Sequence, residues 1–257
     1  MFASLIVDRP KLKAAGPVGR VGLLALSSDL NIEAEFHRML PRGVSLITTR
    51  IENVEEITQE SLLDIEAALV PAARSLAPNT ELDVLVYGCT SGSVALGEKR
   101  VEELLGKARP TARCVTPSGA VEAGLRSLGA RRISLLAPYS EELTTMIAAD
   151  FEKRGYAVAN ASCFGFTADS QMTAIAKESW IEAARSCYDH SADALFISCT
   201  SVRASAVIDD IEAEIQAPVI CSNQAVAWQI GNHLGVLSDL SISGRLSATK
   251  LATPDNV

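Results

Sequence analysis

Residues 83–93 read DVLVYGCTSGS and residues 193–203 read DALFISCTSVR. In both, a short run of Val, Leu, Ile, Phe or Tyr leads into Cys-Thr-Ser. Such a run is too brief for an amphipathic helix and lacks the alternation of a half-exposed strand. It predicts a strand buried on both faces, the kind found in parallel sheets. The two cysteines, Cys89 and Cys199, stand 110 residues apart (199 − 89).

Nearly the same interval relates the rest of the chain. Apolar runs at 20–26, 45–51 and 83–88 are matched by runs at 132–138, 156–162 and 194–198, their starts separated by 112, 111 and 111 residues. The connections are too long for hairpins. Leu62, Ile65, Leu69, Ala72 and Leu76 recur every three or four residues between the second and third runs, which predicts a crossover helix. The expected fold class is α/β, with two pseudo-symmetric lobes, each a mainly parallel sheet flanked by helices. Sites in such folds lie beyond the carboxyl ends of the strands, so the active site is expected in the interlobe cleft. Residues 1–117 joined by 222–257 form the expected first lobe and 118–221 the second, with the crossing near 116–124. A further strand at 217–222 leads into a helix at 223–234 capped by Gly235 and finds no counterpart before residue 20. The polar tail from Ser238 onward is expected to pack weakly.

Composition excludes several function classes. The 257 residues are 48% hydrophobic and 21% charged, enough to bury one large core or two modest ones. A formal charge of -8, with no basic run interleaved with aromatics, speaks against nucleic acid as a partner. The apolar opening at 1–7 is stopped by Asp8, Arg9 and Pro10, too short for a signal peptide or a membrane span. The expectation is a cytoplasmic protein without membrane association. Six cysteines scattered through such a chain should be thiols. Cys187 and His190 have no second pair at ligand spacing, so no metal site is expected. The G-x-S-x-G of a nucleophile elbow is missing around Ser91, and the glycines at 16–22 have the wrong spacing for a dinucleotide fingerprint. No cofactor is expected.

Cys114, Cys163, Cys187 and Cys221 read as core filling, since free cysteine is among the most buried residue types. Packing does not explain an identical Cys-Thr-Ser at the same point of two lobes. Each motif follows a strand and precedes a helical stretch, which would set the sulfur and the next N–H groups near a helix N-terminus and favour thiolate and carboxylate alike. Thr90, Ser91 and Thr200 add hydroxyl donors. After the first strand of each lobe the same offset of 110 (139 − 29) pairs Asp29 with Tyr139. Asp29 is read equally as a helix N-cap and as a site residue, and Tyr139 as a site residue on the cleft rim. Two thiols on opposite walls suit proton removal on one face and return on the other, inverting a centre next to a carboxylate. They equally suit thiolate addition to an activated double bond, rotation and elimination.

Five segments, VGLLALSSDLNIEAEF, VYGCTSGS, TPSGAVEAGLRSLGARRISLLAPY, ISCTSVR and VICSNQAVAWQ, together resemble the maleate isomerase and arylmalonate decarboxylase branch of the aspartate/glutamate racemase superfamily. Within it the chain looks most similar to the racemase-like proteins of ectoine utilisation, over nearly its whole length. The resemblance implies a site between the lobes with Cys89 as the nucleophile, Cys199 as acid/base and Tyr139 as a carboxylate ligand. It implies that Thr90, Ser91 and Thr200 complete an anion pocket, and that the partner is a small carboxylate. The branch's decarboxylases keep only the second cysteine, so Cys89 points to an isomerase or racemase. Maleate isomerases carry asparagine where this chain has Asp29, and another near Ser170. An ionised aspartate only accepts hydrogen bonds, which suits a substrate bearing an ammonium or another donor.

The leading expectation is a cofactor-independent two-cysteine isomerase of the maleate cis–trans type. The alternatives are a racemase of an acidic or ectoine-derived amino acid, an arylmalonate-type decarboxylase, and a non-enzymatic two-lobe protein that binds a carboxylate. A symmetric homo-oligomer is the expected assembly.

Overall fold

A computed structural model describes residues 11–251. The apolar opening at 1–7 lies outside the described residues. The first half runs β1 (Gly19–Leu26), α1 (Ile32–Met39), β2 (Val44–Ile51), α2 (Gln59–Asp64), α3 (Glu66–Ser75), β3 (Val84–Gly88), α4 (Thr90–Leu96), α5 (Glu98–Ala108), β4 (Arg113–Val115) and α6 (Pro117–Ser127). The second runs β5 (Arg132–Ala137), α7 (Glu141–Lys153), β6 (Ala157–Cys163), α8 (Asp169–Thr173), α9 (Lys177–Cys187), β7 (Ala194–Ile197), α10 (Ile208–Ile215), β8 (Val219–Cys221) and α11 (Ser222–Leu234).

The strands form two four-stranded sheets ordered β2-β1-β3-β4 and β6-β5-β7-β8, with every neighbouring pair parallel. Central strands β3 and β7 are buried along their whole length, as their unbroken apolar runs require. In each sheet the chain steps outward from the first strand on one side and returns on the other. The direction therefore reverses between β1 and β3, and again between β5 and β7. Loops leaving the carboxyl ends of those strands diverge and open a crevice. Asp29, Cys89, Tyr139 and Cys199 all sit on these four loops.

Three expectations need correction. The strand at 217–222 does have a counterpart, β4, which pairs with β3 as β8 pairs with β7. Both edge strands are three residues long, and β4 is mostly exposed or half-buried, so no apolar run betrays it. Each also feeds a helix. The crossing at 116–124 is helical: Thr116 caps α6 by accepting from Gly119 N–H at 3.2 Å, with Pro117 at its first position. α6 and α11 then pack on each other along the seam between the lobes.

The tail from Ser238 to Leu251 is also better packed than its polarity suggests, and 252–257 lie outside the described residues. Leu246 is fully buried, Trp228 Nε1 donates to Thr249 O at 3.2 Å, and Gln224 Nε2 donates to Ser243 O at 2.6 Å. Its backbone carbonyls satisfy buried donors of α11, a role that side-chain composition does not report. Finally, the apolar stripe at 62–76 is carried by two helices, α2 and α3. They meet at Ile65, where Ala68 N–H bonds to Ile65 O at the three-residue spacing of a tighter turn.

Candidate active site

The four loops border a narrow cavity of about 10 Å³, room for little more than one water molecule. Leu26, Ile57 and Leu62 supply its apolar wall, and Cys89, Ser91, Tyr139, Cys199 and Thr200 line it as the sequence predicts. Asp169 and Ser201 complete the lining. Both cysteines are almost wholly buried, one from each lobe.

Cys89 is the N-cap of α4, with Gly92 N–H directed at its sulfur at 3.2 Å and Ser91 Oγ at 3.7 Å. Gly92 is needed there: a Cβ would lie 2.3 Å from Tyr87 Oη and 3.0 Å from Cys89 Sγ. Cys199 is held differently. Its φ of +128° is a conformation that L residues rarely adopt, and no α-helix follows at once; a 3₁₀ turn at Ala204–Val207 intervenes before α10. Ser201 N–H reaches its sulfur at 3.3 Å. The expectation of a helix N-terminus behind each sulfur therefore holds for Cys89 alone.

Those N–H groups do not produce a resting thiolate. Burial pushes the Cys89 thiol up to about 11, against the opposing pull of Gly92 N–H and Ser91. Burial, with the carboxylates of Asp169 and Asp29 nearby, holds Cys199 well above the ordinary thiol range. Desolvation of the charged form outweighs two or three hydrogen bonds, so both sulfurs rest as neutral thiols. The Tyr139 hydroxyl lies beside Cys199 and Ser198, and burial together with the two cysteines raises it far above the usual phenol value.

The two Cys-Thr-Ser motifs are fastened to each other. Thr200 Oγ1 donates to Gly88 O at 3.1 Å, from the second lobe to the end of β3. Thr90 Oγ1 donates to Ser222 Oγ at 2.8 Å, and the same oxygen accepts Cys199 N–H at 3.2 Å. Thr90 thus spends its hydroxyl on the brace and does not line the cavity.

Asp29 is completely buried. Its Oδ1 accepts from Asn31 N–H at 2.8 Å and Ile32 N–H at 2.9 Å, while Oδ2 has no hydrogen-bond partner. Burial raises its pKa to about 6. Asn31, not Asp29, is therefore the N-cap of α1; Asp29, two residues before it, binds the N–H groups that open the helix with one oxygen and leaves the other free. Glu33 takes no part in the cap and pairs with Arg50.

Ser170 is not part of this wall. It is exposed, and both its N–H and its hydroxyl bind Glu55 Oε1. The neighbour Asp169 turns inward instead, accepting from Ser201 Oγ at 3.3 Å, with its pKa raised by burial. Ser170 begins the polar part of a short helix on the surface, and its preceding residue faces the core. The signal that points to Asp169 is an acid beside apolar Phe164 and Phe166 in a segment that must reach across to the β1 loop. Among the described residues no three His, Cys, Asp or Glu side chains converge as a metal site, and no helix is long and apolar enough to cross a membrane.

The arrangement can add a sulfur to one face of a small bound molecule and move a proton on the other. Known proteins share this architecture. The maleate isomerase of Nocardia farcinica is 26% identical over 241 residues, covering 89% of this chain and 95% of that protein. The maleate isomerase Iso of Pseudomonas putida S16, solved with maleate, superposes with a TM-score of 0.82 at 20% identity, covering 90% of this chain and 97% of that one. A mutant of the Nocardia farcinica maleate cis-trans isomerase, solved with a covalently bound succinylcysteine intermediate, gives a TM-score of 0.81 at 24% identity, with 89% and 98% covered. The arylmalonate decarboxylase family model matches residues 21–247, nearly the whole described chain, and the protein belongs to that family.

Proposed function

We propose that this protein is a cofactor-independent isomerase that acts on a small carboxylate through Cys89 and Cys199, by chemistry of the maleate cis–trans type. The observation that carries the reading is the pair of buried thiols, one from each lobe, bordering a single small cavity. It is supported by the succinylcysteine seen in the Nocardia farcinica enzyme.

In this reading Cys89 passes its proton to a carboxylate oxygen of the substrate as it attacks, and its sulfur forms a bond to one carbon of a double bond conjugated to a carboxylate. The π pair moves onto that carboxylate as an enediolate. Hydroxyls of Ser91 and Tyr139 hold the developing charge, while the Thr200 hydroxyl stays committed to Gly88 O. Cys199 protonates the adjacent carbon, leaving a saturated thioether in which the former double bond rotates. Cys199 then takes the proton back, and expulsion of Cys89, which recovers its own proton from the substrate carboxyl, restores the double bond in the other geometry. A closed cavity with neutral resting thiols limits side reactions of a free thiolate.

The test is a proton NMR time course in deuterated water with maleate. Conversion to the trans isomer that is lost in Cys89→Ala and Cys199→Ala supports the reading. Turnover that survives both substitutions rules it out. The division at 117/118 and 221/222 is likewise our proposal, supported by the first sheet lying within Gly19–Val115 and the second within Arg132–Cys221. A homo-oligomer in the cytoplasm completes it, to be checked by light scattering and cell fractionation.

A further inference from the structure

Among the described residues, the polar end of the cavity carries the Asp169 carboxylate, with the buried Asp29 carboxylate close by and no cation. Asp169 lines it directly, and Asp29 stands behind Ser201, close enough that each raises the pKa of the Cys199 thiol. Ser201 Oγ gives its hydrogen to Asp169 Oδ2, so Asp29 Oδ2 is left buried with no protein donor. Arg50, the nearest base in the bonding pattern, binds the carbonyls of Leu26 and Asp29 and pairs with Glu33, leaving the Asp29 carboxylate untouched. Glu55, hydrogen-bonded to Ser170 just outside, adds a third negative charge felt by Asp169. Among the described residues no Lys, Arg or His lines the cavity.

A buried acceptor without a donor is costly unless a ligand supplies one. A plain dianion seated between the thiols would put a second carboxylate against Asp29 and Asp169 and be held less tightly. An ammonium there would donate to both acids and neutralise the excess charge.

We propose that the substrate is a small carboxylate that also carries an ammonium group, held at Asp169 and the buried Asp29 beside it while its carboxylate faces the hydroxyls of Ser91 and Tyr139. This deepens the proposed function and rests on the Cys89/Cys199 cavity being the active site.

Succinate and the two enantiomers of aspartate share a four-carbon dicarboxylate skeleton and differ by the ammonium, which makes them matched probes. Calorimetric titration of wild type should find at least one aspartate enantiomer bound about tenfold or more tightly than succinate. In Asp29→Asn and Asp169→Asn, which keep shape, that preference should collapse toward equality as succinate gains and aspartate loses. Asp169→Ala serves as a second variant if an asparagine fails to fold. Succinate binding wild type as well as aspartate does, millimolar aspartate failing to bind, or a preference unchanged in the variants, each overturns the proposal. The same samples are alkylated at alkaline pH. If succinate or maleate protects Cys89 and aspartate does not, the ammonium proposal fails while the active-site reading stands. If aspartate binds without protecting Cys89, the active-site reading fails with it.

Discussion

Thr90 donates its hydroxyl hydrogen to Ser222 Oγ across 2.8 Å, tying the first Cys-Thr-Ser motif to the start of α11. Because that oxygen also accepts Cys199 N–H, one hydroxyl joins the β3 loop, the β7 loop and the last helix. It anchors the residue whose φ of +128° is strained. A strained conformation persists only where its surroundings over-determine it.

Ser222→Ala removes that anchor and leaves two buried donors unpaired. Loss of about 1–3 kcal/mol of stability is expected from the donors alone. A purely structural role would stop there. As a positioning residue, Ser222 should also lower kcat well beyond any change in KM, since Cys199 would lose its fixed direction. Thermal melts and steady-state kinetics on one preparation separate the two.

The resting thiols should react slowly. With Cys89 raised to about 11 by burial, its thiolate is scarce at neutral pH. Rates of Cys89 alkylation, followed by mass spectrometry of the modified peptide, should climb about tenfold per pH unit from neutrality up to pH 10 without levelling. A plateau near pH 7 would mean that the helix N-terminus, not burial, governs this sulfur.

Much of this site was legible before any coordinates. Runs such as 83–88 and 194–198 report buried strands because a parallel sheet covered on both faces demands unbroken apolar residues. Residues at the ends of such runs follow from topology. Asp169 was one position away from the residue chosen, Ser170, because a short helix leaves no periodicity to show which neighbour turns inward. Burial could not be weighed against hydrogen bonding at Cys89 and Cys199 from residue types alone, so the thiolate expectation failed. The distinct backbone of Cys199 was hidden by the identity of the two tripeptides, which share side chains but not φ.

Asp29 should cost stability at neutral pH. A carboxyl raised from 3.8 to about 6 by burial binds its proton more tightly in the folded state. The stabilisation is full below pH 3.8 and is lost as pH rises through 6. Replacement by asparagine keeps an Oδ1 acceptor for Asn31 and Ile32 N–H and removes the titration. Asp29→Asn should therefore be more stable than wild type at pH 7–8, by up to about 3 kcal/mol. The gain should shrink towards zero near pH 4. Denaturant unfolding at both pH values checks this, and a constant difference would refute it.

Gly92→Ala tests how closely the chain must approach Cys89. The added Cβ has to enter a space where Tyr87 Oη would be 2.3 Å away and Cys89 Sγ 3.0 Å away. Tyr87 is fully buried with an unpaired hydroxyl, so its ring cannot swing into solvent, and the α4 backbone must give instead. Any such shift moves the Gly92 N–H that now points at the sulfur at 3.2 Å. Overpacking of this kind costs about 1–3 kcal/mol. The catalytic effect should be larger, because the sulfur loses both its position and the one helical N–H that favours its charged form. Expected outcomes are a folded protein with a lowered melting temperature, a severalfold or greater loss of kcat, and Cys89 alkylation that is slower than wild type at pH 9. Faster alkylation, with activity kept, would mean that the N–H of Gly92 does not help this thiol ionise.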